Sequence, residues 1–196
     1  MYTIVGLGNP GEEYENSRHN VGRAVLEGLA ADLELGPWKK SKPHSGMIVK
    51  EEVGGVKITL ILPDTFMNRS GLSVKSFAGS KAKIGKLIVV HDDLDLPVGG
   101  LKIVKNRGAG GHKGVLSVMS AVKSKDFTRI RVGIVPTTPT GKLKKPKGEK
   151  EVEDFVLGTF KKKDAEVIEE RIKNSVDAIK IIVTEGIEQA MQKYNQ

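Results

Sequence analysis

The chain has 196 residues, 38% of them apolar and 29% charged, the balance of a globular protein with one sizeable core rather than of a disordered chain. It has no cysteine, which excludes disulfides, thiolate catalysis and zinc sites built on Cys. The 32 Lys and Arg outnumber the 24 Asp and Glu, and this formal charge of +8 suits an anionic partner, nucleic acid first.

Tyr2–Leu7 is a β-branched and apolar run ending in glycines, which predicts a buried strand. Val21, Val25, Leu29 and Leu33 recur at helical spacing. Met47–Val53 and Val56–Leu62 flank Gly54-Gly55, a hairpin signal. Val74, Phe77 and Ala78 predict a short helix after Asn68. Leu87–Val90 is a compact strand ending at His91, and Leu101–Val104 is another strand. Val115–Val122 reads as a helix opened by glycines, and Ile130–Val135 as a strand. From about Asp164 to Val183 one side is apolar, which predicts a long helix, and a shorter one follows Gly186. Strands interleaved with helices indicate a single α/β domain over residues 1–196, a twisted mixed β-sheet flanked by α-helices. Pro136–Lys150 has linker composition and is expected to be a mobile basic loop within that domain. No apolar run approaches the roughly 20 residues that span a bilayer. No secretory signal pattern opens the chain, so no membrane partner and a cytoplasmic location are expected.

Two familiar patterns fail on mechanism. Gly6-Leu7-Gly8-Asn9-Pro10-Gly11 matches G-x-G-x-x-G after a strand, but a dinucleotide site needs a helix N-terminus directly behind it. Here Glu12, Glu13 and Glu15 follow, and the helical pattern starts only near His19. Gly108–Lys113 departs from a P-loop because Lys113 follows His112 and precedes Gly114. Neither a G-x-S-x-G nor an H-E-x-x-H is present. His91, Asp92, Asp93 and His112 offer metal-ligand atoms, but nothing in their spacing fixes a coordination geometry, and no metal or other cofactor is expected.

What remains is a set of polar residues at element ends: Asn9, Tyr14 and His19; Phe66 and Asn68; Asp92; and His112 with Lys113. In α/β sheets functional groups gather beyond the carboxyl ends of strands. Asn9 follows the first strand, Asn68 lies beyond the third and Asp92 follows the fourth. A histidine with a carboxylate on its other ring nitrogen can deprotonate water, and Asn side chains can hold amides or a developing oxyanion. Such a set suits cleavage of an ester or amide. Each residue also has a structural reading: His19 as a helix-start residue, Asn9 as a turn former, Asn68 as a helix cap, Asp92 as a loop acid. The residues alone leave both open.

These segments strongly resemble the bacterial-type peptidyl-tRNA hydrolases. The matching pieces are G-L-G-N-P-G-x-x-Y with R-H-N-x-G (Gly6 to Gly22), P-x-T-F-M-N-x-S-G (Pro63 to Gly71), H-D-D-L-D-L-P-x-G (His91 to Gly99) and G-G-H-K-G (Gly110 to Gly114). The resemblance implies a cofactor-free monomer that cleaves the ester between a peptide and the 3′ end of tRNA, recycling tRNA from dropped peptides. It implies His19 as general base, Asp92 as its partner, Asn9 as a sensor of the blocked amino terminus and Asn68 as holder of peptide and water. Tyr14 and Phe66 would be cleft walls, and His112 and Lys113 substrate contacts. The family usually has Asn where this chain has Lys113, a cation that cannot accept a hydrogen bond. Lys102, Lys105 and Arg131 are candidate tRNA phosphate contacts, as are the lysines of the 136–150 segment. Alternation along a strand puts Lys102 and Lys105 on opposite sides.

Overall fold

The computed structural model describes residues 1–195. Seven strands form one sheet: β1 (Tyr2–Gly6), β2 (Lys39–Ser41), β3 (Gly46–Val53), β4 (Val56–Pro63), β5 (Leu87–Pro97), β6 (Leu101–Lys105) and β7 (Thr128–Val135). Their order is β2-β3-β4-β1-β5-β7-β6. The centre is parallel, β1 lying between β4 and β5, with β7 parallel to β5. Both borders are antiparallel, through β2 and β3 on one side and β6 on the other. The β3–β4 hairpin turns at Gly54-Gly55, whose φ values of 55° and 78° are both positive. A two-residue turn with that sign matches strand twist, and glycine adopts it freely.

Strand alternation divides the core between two layers. Ile4, Leu60, Ile88, Val90 and Ile130 belong to the layer under α1 (Val21–Asp32) and α5 (Ala165–Thr184). Val5, Leu7, Ile61, Leu87 and Val89 belong to the opposite layer, with Met67, Val74 and Phe77 of a 3-10 helix (Met67–Phe77) and Val115, Val118 and Val122. The last three lie on a helix, Lys113–Val122, which follows a short helical turn, α2 (Lys81–Ile84), and is therefore α3. Helix α4 (Gly148–Leu157) precedes α5, and α6 (Ile187–Tyr194) lies against β6. No helix among the described residues is long and apolar enough to cross a membrane.

The seating of α1 fixes the start of the chain. A Cβ on Gly22 would meet the Val90 carbonyl oxygen and, at 2.7 Å, that of Leu7; one on Gly6 would meet the Gly22 carbonyl. Helix and strands therefore touch main chain to main chain, and only glycine permits it.

The structure departs from the expected elements in three places. Strand β5 continues through Pro97, so His91 and Asp92 lie within a strand rather than after one, because β7 goes on pairing with it (His91 with Arg131, Asp92 with Val132) after β1 has ended. The segment after Asn68 is a 3-10 helix; Gly71 there lies so close to α3 that a Cβ would strike the Ser117 carbonyl. The basic segment is a loop only to Lys147. Helix α4 begins at Gly148, with Glu149 and Glu151 in its first turn and the Lys147 N–H donating to Glu151 Oε2 at 2.8 Å. Within the loop, the Lys144 N–H donates to the Pro136 carbonyl at 2.8 Å, and Lys145 Nζ reaches Asp95 Oδ1 at 2.6 Å.

Candidate active site

Strands β1 and β5 are in register only as far as Gly6 opposite Val90; β1 then turns away through Gly8-Asn9-Pro10. The space that opens beyond the carboxyl end of β1, beside the continuation of β5, is a cleft of about 610 Å³. Asn9, Tyr14, His19, Phe66, Asn68, Asp92, His112 and Lys113 all line it. The site residues expected from sequence are thus brought together. Lys102, Lys105 and Arg131 do not line the cleft.

His19 sits in a 3-10 turn (Arg18–Asn20) that runs directly into α1. Its Nδ1 lies 2.8 Å from Asp92 Oδ1. Asp92 is almost wholly buried, and the same oxygen lies 2.8 Å from His112 Nε2. Burial alone would raise the Asp92 carboxyl, but the two imidazoles, by charge and by hydrogen bond, hold it well below the usual range. Two N–H groups therefore converge on one ionised oxygen. His112 Nδ1 accepts from the N–H groups of Gly114 and Val115 at the start of α3, at 3.1 and 3.3 Å. That bonding assigns the neutral ring its proton on Nε2, the atom facing Asp92. His19 correspondingly donates from Nδ1, leaving Nε2 as an acceptor.

The donor atoms of His19, Asp92 and His112 lie within 4.8 Å of one another, a spacing a cation could in principle use. The bonding argues otherwise. His112 Nε2 carries a proton and has no lone pair to offer, and the carboxylate oxygen occupies the position between the rings that an ion would need.

Asn9 is oriented by three bonds. Its Oδ1 accepts from the Met67 N–H at 2.8 Å, its own N–H donates to Asn20 Oδ1 at 2.8 Å, and its carbonyl accepts from Asn20 Nδ2 at 2.9 Å. With Oδ1 so occupied, the side-chain Nδ2 is the donor left for the cleft. Asn68 follows Met67 and is exposed at the mouth. Phe66 is 58% exposed and meets Tyr14 edge to face, ring centroids 6.4 Å apart.

Opposite them stands α4, which contributes Glu149, Val152, Glu153, Val156 and Leu157. Its helical form was not expected from the sequence, since it stands at the end of a lysine-rich stretch. Lys113 Nζ reaches across to Glu149 Oε1 at 3.0 Å. Arg18 ties down the far end of α4: its Nη1 donates to the Phe155 carbonyl at 2.9 Å, and its guanidinium lies 4.3 Å from the Phe155 ring centre. Arg18 and Asn20, quoted only as parts of a motif, are residues the sequence left without a role.

The phosphate candidates lie towards the β6 border. Lys102 and Arg131 face each other across the β6–β7 ladder and so share a face, whereas Lys105 falls on the other. Arg131 Nε donates to Asp93 Oδ2 at 2.6 Å, Lys102 Nζ to the Asn195 carbonyl at 3.3 Å, and Lys105 lies 3.8 Å from Asp126.

An α/β domain with a carboxylate-oriented imidazole and amide donors around a cleft at its strand ends has the organisation of an enzyme. The chain belongs to the peptidyl-tRNA hydrolase family, whose model, described as Peptidyl-tRNA hydrolase, matches residues 3–196. It is 42% identical to the peptidyl-tRNA hydrolase of Listeria monocytogenes and 39% identical to that of Thermodesulfovibrio yellowstonii, in each case across the full length of both chains. The crystal structure of peptidyl-tRNA hydrolase from Acinetobacter baumannii superposes with a TM-score of 0.86 at 31% identity, covering 100% of this chain and 94% of that one.

Proposed function

We propose that this enzyme hydrolyses the ester joining the peptide, or an N-blocked aminoacyl group, to the 3′ end of tRNA, with water activated by His19. The observation that carries the reading is the His19–Asp92 pair at 2.8 Å, which commits Nδ1 and leaves Nε2 to a cleft wide enough for substrate. Water bound at Nε2 gives up its proton as its oxygen attacks the ester carbonyl. Asp92 stabilises the imidazolium that forms. The amide donors of Asn9 and Asn68 hold the peptide and support the oxyanion of the tetrahedral intermediate. When that intermediate collapses, the C–O bond breaks, and the ribose oxygen of the tRNA takes the proton back from His19 Nε2.

Asn9 Nδ2 suits the carbonyl of a blocked amino terminus, and Tyr14 and Phe66 offer ring faces to the peptide or terminal base. Lys113 is a point charge for a phosphate near the scissile bond. Lys102, Lys105, Arg131 and the lysines of the 136–147 loop are the proposed contacts for the tRNA body, reached by exchanging carboxylates and carbonyls for phosphates. His112, with both nitrogens engaged, serves this site by fixing Asp92 rather than by offering a free atom to substrate. In this reading the protein works as a monomer in the cytoplasm, on peptidyl-tRNA dropped by ribosomes, without a cofactor.

The test is release of deacylated tRNA from N-blocked aminoacyl-tRNA. His19→Ala is expected to abolish turnover while retaining tRNA binding. Full activity in that variant would overturn the assignment.

A further inference from the structure

We infer that His91, which does not line the cleft, is a positioning residue that holds the main chain of Asp92 so that its carboxylate serves His19 and His112 together. The inference rests on the reading of His19 as the base.

The argument starts from the point where β1 leaves the sheet. The last bond between these strands runs from the Leu7 N–H to the Val90 carbonyl at 2.9 Å. Carbonyls two residues apart along a strand point the same way, so the Asp92 carbonyl faces the side that β1 has vacated. His91 Nδ1 fills that vacancy, lying 2.6 Å from the Asp92 carbonyl oxygen. A side chain thus replaces a ladder bond at the one residue whose carboxylate two imidazoles share.

The ring is poorly suited to being mere filling. It is 1% exposed, and its Nε2 has no hydrogen-bond partner among the described residues. An unpaired buried acceptor is a cost that a leucine of similar size would not carry. Burial first, and then the neighbouring His112, push the ring well below its usual basicity, outweighing the charge and carbonyl of Asp92 that oppose them; Arg129 adds to the lowering. A neutral ring has one N–H, and that proton goes to Asp92. The ring also packs edge-on against His112 with centroids 4.7 Å apart, and His112 lies 5.0 Å from His19. Without His91 the carbonyl is orphaned, the peptide after Asp92 can turn, and the support behind His112 is lost.

The test compares His91→Leu, which lacks the donor, with His91→Asn, whose amide N–H reaches the Nδ1 position. For His91→Leu, kcat with N-blocked aminoacyl-tRNA is expected to fall about 10- to 100-fold, with KM within about twofold and Tm little changed, because loss of the unpaired Nε2 offsets the orphaned carbonyl. His91→Asn is expected to recover most of kcat. Independently of turnover, the His19 Nδ1 proton resonance should shift or broaden in His91→Leu and return in His91→Asn. If the leucine variant does not fold, His91→Gln, whose amide reaches the Nε2 position instead, takes its place. Wild-type kcat and an unchanged His19 resonance in the donor-less variant would overturn the inference. So would parallel loss of kcat and Tm in both variants. An inactive wild-type protein would instead overturn the proposed reaction, leaving the resonance as the measure of positioning.

Discussion

Asn20 grips the main chain of Asn9 at both of its polar groups, taking the N–H on Oδ1 and giving Nδ2 to the carbonyl. The turn after β1 is thereby locked to the residue that precedes α1 as its N-cap, one place beyond His19. The proposed base and the proposed substrate-binding amide are held by a single device. Asn20→Ala removes both bonds inside a buried site and is expected to cost about 1–3 kcal/mol in stability, measured by urea denaturation. Asn20→Asp keeps the acceptor and loses the donor, so it should fall between the two in stability and in kcat.

Asp92 predicts a pH dependence of known sign. Its folded-state carboxyl lies below the ordinary Asp value, held there against burial by His19 and His112. Its stabilising contribution is therefore present above the ordinary value and is lost as pH falls through the folded one. The stability difference between wild type and Asp92→Asn should be full near neutrality and shrink below about pH 4, the ordinary Asp range. At neutral pH the same variant should lose on the order of 10⁴-fold in kcat, because an amide can leave His19 in the wrong tautomer. A kcat within tenfold of wild type would count against Asp92 as the orienting group.

Lys113 and Glu149 form an exposed pair across the cleft mouth. Exposed pairs add little to stability. Lys113→Asn should therefore leave Tm unchanged. If Lys113 meets a phosphate once substrate enters, the slope of log affinity against log salt should fall by roughly one in the variant. An unchanged slope would return Lys113 to a purely protein-facing role.

Arg18 joins the turn bearing His19 to the α4 wall of the cleft, through the Phe155 carbonyl and ring. Arg18→Met keeps length and loses the charged donor. The wall should loosen while His19 and Asp92 stay paired, so KM is expected to rise more than kcat falls. Steady-state kinetics at several substrate concentrations checks this, and an equal fall in kcat at constant KM would contradict it.

Much of the fold was legible because its signals are local. Alternation and turn glycines give β1, the β3–β4 hairpin and β7, and one-sided apolar spacing gives α1, α3 and α5. The extension of β5 to Pro97 was not legible, since its polar HDDLD run pairs only because β7 lies beside it. Helix α4 was obscured by composition: its apolar face is Val152, Phe155 and Val156, and lysines precede it. For the site, spacing supplied His19, Asp92, Asn9 and Asn68 as candidates and motif order suggested roles. What spacing cannot carry is hydrogen-bond direction. That His112 spends both nitrogens within the protein, and that Asn20 orients Asn9, depends on contacts between segments.

The close approach at Gly22 has a consequence for how this protein can change over generations. The turn that carries His19 is referenced to β1 and β5 through peptide groups at Gly22 as well as through the packed side chains of α1. Substitutions among the valines, leucines and isoleucines of the core can reshape packing on either layer while leaving that datum in place. The separation of His19 from Asp92 is in this sense insulated from drift in the interior, and the tolerance ends at two glycines.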